Sequence, residues 1–289
     1  MGAIDDDEGR PRILDRENLI SVTLTPQPAK YVVTHRSSRL LADHLKIGYA
    51  TVATIWWNPL RAIETIMDAR KLASYFAAAS KDDSARVDAY FDGGAQELLA
   101  QMMLAAACAD GDLLHVYGWL SDEANELPQR LLEVHGHHII ANRLKSSSEL
   151  NPRQRDGLYD MARRFIGLLE EQAYAMSVLP PNRRDISVEG APDTKVGGSV
   201  REFVVEDFVT STDTLYALSK EGPDSSSALT TALIGSIIDA AQRVARRSPR
   251  GRLPVPMLGV LDEAANVCRL PELPAWYSHL GSQGCNQQR

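Results

Sequence analysis

The apolar run Met257-Leu258-Gly259-Val260-Leu261 ends on two adjacent acids, Asp262 and Glu263. A short, continuous apolar stretch of this kind reads as a strand buried on both faces, as strands of parallel sheets are. Its two carboxylates then emerge at the C-terminal edge, where open α/β sheets place their ligands. No other feature of the chain limits its fold as tightly.

The segments around the run extend that reading. Thr214-Leu215-Tyr216-Ala217-Leu218 is β-prone, Pro223-Asp224-Ser225-Ser226 supplies a turn and a helix cap, and Ala228 to Ala245 keeps helical spacing. Strand, helix and the 257–261 strand have the right lengths for a right-handed parallel crossover. Near the other end, Leu19 to Leu24, Tyr31-Val32-Val33-Thr34 and Tyr49 to Trp57 are further β-prone stretches, the last stopped by the turn Asn58-Pro59.

Between these lies a long helical texture. Leu60, Ile63, Ile66 and Met67 recur at helical spacing, and Ala95 to Ala109 is rich enough in Ala, Leu and Met for an almost wholly buried helix. Leu131, Leu132, Val134, Ile139 and Ile140 are read as one more helix, and Leu158 to Met176 as another after Asn151-Pro152. About four to six helices are expected here. The resulting division is a 1–17 acidic tail, an 18–59 α/β part, a 60–178 all-α insertion, a 179–200 linker and a 201–289 α/β part.

A net charge of −7 argues against wholesale binding to nucleic acid or a membrane surface. Any DNA contact falls to local clusters, of which Arg243, Arg246, Arg247 and Arg250 with Arg252 is the densest. Spaced three or four apart, the first four would share a helix face, but Pro249 turns the chain away. A solvated helix C-terminus, where positive charge is stabilising, is the competing reading. Three scattered cysteines, Cys108, Cys268 and Cys285, fit neither a disulfide framework nor a thiolate zinc site. The polar start and the lack of an apolar run of about 18 residues point to a cytoplasmic chain.

Asp262 and Glu263 carry the chemistry of greatest interest. At such a strand end an Asp can hold Mg²⁺ and a following Glu can orient or deprotonate an attacking water, as in nucleotide hydrolysis. The alternative is that the pair only caps the helix starting near Ala264. None of the seven lysines completes G-x-x-x-x-G-K-S/T, so no loop to cradle phosphates is visible. His135, His137 and His138 lack the further ligands a helical metal site needs. Trp56-Trp57 reads as a packing anchor rather than a base-stacking platform. Ser278-His279 implies no activated nucleophile, and Gly197-Gly198 no phosphate loop.

The stretch Gly251 to Val267, with its Leu261-Asp262-Glu263-Ala264 centre, resembles the Walker B region of type IV coupling proteins, the TraG/TraD-type ATPases of conjugation and type IV secretion, in their actinobacterial form. Leu273-Pro274, Tyr277-Ser278-His279 and Gly281-Ser282-Gln283-Gly284 resemble the segments downstream of it in that family, and Asp213 to Ser219 the strand before it. Trp56-Trp57-Asn58-Pro59-Leu60 resembles the turn into the family's helical domain, whose first long helix matches Tyr90-Phe91-Asp92 and Leu98-Leu99-Ala100. The likeness runs over roughly positions 30 to 284, in family order.

This resemblance implies a partial RecA-like P-loop NTPase parallel sheet with a large inserted all-α domain. It implies ATP and Mg²⁺ as cofactors, with Asp262 on the Mg²⁺-nucleotide and Glu263 catalytic. The expected partners are DNA, a relaxase or relaxosome protein on the all-α domain, further copies in a hexameric ring, and channel components at the inner face of the plasma membrane. The family's Walker A region, and its next strand and arginine finger beyond Gly284, have no counterpart in the sequence. The expectation is therefore a coupling-protein fragment of the DNA-translocating motor, not competent alone. The competing expectation is a non-enzymatic interaction protein whose all-α domain binds a relaxase or secretion partner.

Overall fold

The computed structural model describes residues 20–23, 55–80, 89–183, 186, 194–195, 201–218, 227–260, 268–270, 272–276 and 285–288. Helix α1 (Ile66–Ala79) starts where Thr65 and Asp68 close a reciprocal capping box, the Asp68 N–H reaching Thr65 Oγ1 and the Thr65 N–H reaching Asp68 Oδ2 at 2.9 Å. Leu60 and Ile63, at helical spacing in the sequence, precede that cap and lie buried in turns instead.

Helix α2 (Ala89–Cys108) is the hub. Leu98, Leu99, Ala100, Met102, Met103 and Leu104 are all buried, as a helix rich in Ala, Leu and Met requires. Around it pack α1, α3 (Leu113–Leu120), α4 (Leu127–Val134), α5 (His138–Ser148) and α6 (Pro152–Phe165). Gly94 lets α6 approach closely, since a Cβ there would stand 2.8 Å from Leu158 Cδ1. A 3₁₀ turn, Gly167–Glu170, and α7 (Gln172–Val178) complete this helical block.

The single helix expected across 131–140 is two. Gly136, at φ 82°, ends α4 in a left-handed cap: its N–H donates to the Glu133 carbonyl at 3.1 Å, and the His137 N–H to the Leu132 carbonyl at 2.8 Å. Those paired bonds are the Schellman motif, which a glycine satisfies without Cβ strain. The break at Ile166 likewise separates α6 from the 3₁₀ turn. Splits of this kind raise the count above the four to six helices expected.

The α/β expectation is overturned. The described strands form four separate two-stranded ladders and no continuous parallel sheet, so a RecA-like P-loop core is not seen. Strand β1 (Ile20–Thr23) pairs in parallel with β6 (Leu215–Leu218), and β2 (Ile55–Trp56) with β5 (Arg201–Glu202). Strands β3 (Asn182–Arg183) and β4 (Thr194–Lys195) are antiparallel. Strand β7 (Met257–Val260) pairs in parallel with β8 (Cys285–Gln288), Met257 opposite Cys285. Thus β6 and β7 do not pair with each other, and a further strand forms at 285–288, where the sequence carries no strand signal. Cys-Asn-Gln-Gln carries no β-branched or aromatic signal, so its partner β7 selects the conformation.

The reason lies in helix α9 (Ser227–Arg247), which comes after the short helix α8 (Val205–Phe208). Its apolar face packs on α1 and joins the helical core, rather than covering a sheet. Helical periodicity shows that a face is buried and says nothing of what buries it. One core runs from Trp57 and Leu60 through α2 and α9 to Cys268, Leu270 and Trp276. Trp57 is 7% exposed and its N–H donates to the Ser177 carbonyl at 2.9 Å, the packing anchor expected of it. Tyr31 to Thr34, Gly197-Gly198 and Ser278-His279 lie outside the described residues.

Candidate functional site

Charge enters the core where α1 crosses α9. Asp239 interrupts the apolar stripe Leu233, Ile234, Ile237, Ile238 of α9 and is only 9% exposed. Lys71 of α1 forms an ion pair with its Oδ1, and the Tyr75 hydroxyl donates to its Oδ2 at 2.7 Å. Burial pushes the Asp239 carboxyl up, against the opposing pull of Lys71, Tyr75 and Arg243. Burial likewise raises the Tyr75 phenol far above its ordinary value, and the Asp239 charge beside it adds to the effect. The phenol stays protonated and serves as a fixed donor. A lone charge in an apolar helix stripe was the available sequence signal for this cluster, which sequence reasoning missed.

Beside the triad a groove of about 240 Å³ opens between the two helices. Ile63, Met67 and Leu72 form its apolar side, and Gln242, Arg243 and Arg246 its polar side. Lys71 Nζ also sits 5.8 Å from the ring centroid of Trp276, a cation–π contact to the C-terminal segment. Trp276 belongs to the short helix α10 (Leu273–Trp276) and is 5% exposed. Cys268 and Leu270 are buried in the same core, and burial pushes the Cys268 thiol up to about 12, leaving it inert. The C-terminal segment is thus anchored on α1 and α9, while Leu258 of β7 points outward at 58% exposure and Met257 beside it packs inward.

The sequence-predicted residues are scattered by comparison. Asp262 and Glu263 lie outside the described residues, just past β7. Arg243 is engaged by Glu206 of α8 at 2.6 Å. Arg246 and Arg247 close the last turn of α9, and Arg250 stands in a 3₁₀ turn at φ 65° after Pro249. The four arginines do not share one helix face. His135 and His138 are exposed, the His135 ring nitrogen Nδ1 lying 2.9 Å from the Leu131 carbonyl. No group of three or more His, Cys, Asp or Glu fit to hold a metal occurs among the described residues.

A second buried carboxylate ties the block to the strand after it. Asp112 caps α3, accepting from the Leu114 and His115 N–H groups, and binds Arg183 of β3 through both oxygens at 2.7 and 3.1 Å. Burial would raise its carboxyl, but the bonds from His115 and Arg183 outweigh that and hold it below the usual range. On the surface of α2, Glu97 accepts two bonds from Arg70, at 2.7 and 2.8 Å, and pairs with Arg143 at 3.2 Å. The Arg70 hydrogen bonds hold its carboxyl low despite partial burial. These two clusters read as structural ties. The groove and the outward-facing Leu258 of β7 are two exposed features among the described residues.

Comparison with known proteins adds one finding. Residues 256–287 match the family described as the TraM recognition site of TraD and TraG. No curated protein and no solved structure matches the chain. The matched span begins at β7, includes the anchored Cys268, Leu270 and Trp276, and reaches into β8. Over residues 256–287 the chain is similar to the TraG/TraD-type coupling proteins.

Proposed function

We propose that this chain serves conjugation as the partner-recognising part of a coupling protein, with residues 256–287 docking a TraM-type relaxosome protein. The observation that carries the reading is the family match on this segment, together with its geometry. Cys268, Leu270 and Trp276 fix the segment to the helical core, which leaves Leu258 of β7 exposed as an apolar contact. A rigid element presenting one exposed apolar side chain is a low-entropy way to meet a partner. In the intact machine the process served is DNA transfer, with a relaxase, further copies of the chain and type IV secretion channel components as the other partners. No described helix is long and apolar enough to cross a membrane.

Leu258→Asp tests the reading without touching the core. Titrated with a TraM-type relaxosome protein in a calorimeter, the full chain is expected to bind, and the variant to bind at least about ten-fold more weakly, the loss of a ~1.4 kcal/mol contact. Equal affinities would remove β7 from the interface.

The ATP-driven reading of Asp262 and Glu263 asks for donors to a triphosphate. The described lysines do not supply them: Lys71 lies in α1 paired to Asp239, Lys145 in α5 and Lys195 in β4, none after a glycine-rich turn. Among the described residues no donor set for a triphosphate is assembled. Oriented phosphate donors provide most of phosphoryl-transfer catalysis. The purified chain is therefore expected to hydrolyse Mg²⁺-ATP no faster than buffer. Steady turnover abolished by Glu263→Gln would contradict this.

A further inference from the structure

We propose that the groove between α1 and α9 holds an acidic, apolar peptide segment of a partner protein, independently of the recognition assigned to residues 256–287. The argument rests on which polar groups of the groove are already engaged. Asp68 is turned back on its own helix, accepting from the Thr65 N–H at 2.9 Å and the Thr65 hydroxyl at 2.7 Å. Asp239 accepts from Lys71 and from Tyr75. The acids of the groove are thus occupied by the protein's own donors.

Donor capacity remains. Gln242 lines the groove, and its Nε2 is buried with no hydrogen-bond partner among the described residues. A buried donor left unmet is costly, and a turn of the Gln242 side chain toward the groove brings it to an acceptor there. Arg246, one turn along α9 on the same wall, has no ion pair among the described residues. Two donors on one wall, one of them cationic, match a carboxylate or a carboxylate with its neighbouring peptide carbonyl.

The opposite wall sets the rest of the ligand. Met67 is 64% exposed there, beside Ile63 and Leu72. A flexible, unbranched thioether suits an apolar side chain whose shape is not fixed in advance. A volume of about 240 Å³ takes one or two side chains and no more. Apolar and acidic groups side by side describe a peptide. A nucleic-acid backbone offers the anion without the apolar neighbour.

The test uses the full chain and a fluorescein-labelled decapeptide of alternating leucine and glutamate, followed by anisotropy at low salt. The peptide is expected to bind, and its leucine–glutamine counterpart to bind at least about five-fold more weakly. Arg246→Glu and Met67→Ala are each expected to weaken binding by a similar factor. Arg247→Glu, on the same turn but outside the groove, is expected to change it little. In ¹H–¹⁵N spectra the side-chain amide of Gln242 should shift on titration. The proposal is overturned if the acidic peptide does not bind, if Arg246→Glu and Arg247→Glu act alike, or if a 20-nucleotide single strand takes the groove in its place.

Discussion

Arg183→Leu is expected to destabilise the chain by about 3–5 kcal/mol at pH 7, the cost of leaving a buried carboxylate without its cation. The Asp112 side chain is 2% exposed, and the Arg183 guanidinium is its permanently charged partner, with His115 beside it. The loss should depend on pH in a definite direction. In the native chain the Asp112 and Glu97 carboxyls are held low, so their contribution is fully present above the unfolded values of about 3.9 and 4.3. It fades as pH falls through their lowered folded values. Asp239 is raised and works with the opposite sign, favouring the fold below its unfolded value and weakening it as pH rises through the folded one. Without Arg183, the Asp112 carboxyl rises and takes a proton more readily. Urea unfolding of Arg183→Leu and the native chain should therefore differ most at pH 7 and least near pH 4. A pH-independent difference, or one under about 1 kcal/mol at pH 7, would mean that Asp112 is solvated.

Gly235→Ala is the second large effect, and its sign is informative. In an ordinary helix interior this change stabilises by roughly 1 kcal/mol. At the α1–α9 crossing a Cβ would stand 2.5 Å from Tyr75 Cε2 and 2.7 Å from two further ring atoms. The ring cannot retreat: Tyr75 is 1% exposed and its hydroxyl is held by Asp239 at 2.7 Å. Overpacking costs about 1–3 kcal/mol, here at the upper end, so a net loss of about 2 kcal/mol is expected. Thermal unfolding should show a lower midpoint, and the double variant Gly235→Ala with Tyr75→Leu should recover part of it, the signature of coupled neighbours. A raised midpoint for the single variant would show that the helices do not cross there.

The parts of this molecule legible in its sequence are those set by local chemistry. The helix at Ser227–Arg247, the strand at Met257–Val260, the buried hub around Leu98 to Ala106 and the stop at Pro249 all derive from periodicity and breakers. Pairing partners were not legible. An apolar face on α9 suits a sheet or a helix equally, and it meets α1. Gly136 was visible as a residue, yet the stretch Leu131 to Ile140 reads as continuous until its left-handed φ is known. At the candidate site, Asp239 among isoleucines was a signal in plain view. Its partners Lys71 and Tyr75, 168 and 164 residues away, are joined to it only by tertiary structure.

Recognition of the TraM-type relaxosome protein, on this account, resides in residues 256–287 and not in helices α2 to α6. Hydrogen exchange of the full chain, alone and with a saturating TraM-type relaxosome protein, tests it most directly. New protection is expected over β7 and β8, with α2 to α6 unchanged. Protection confined to the helical block, or none anywhere, would contradict the account.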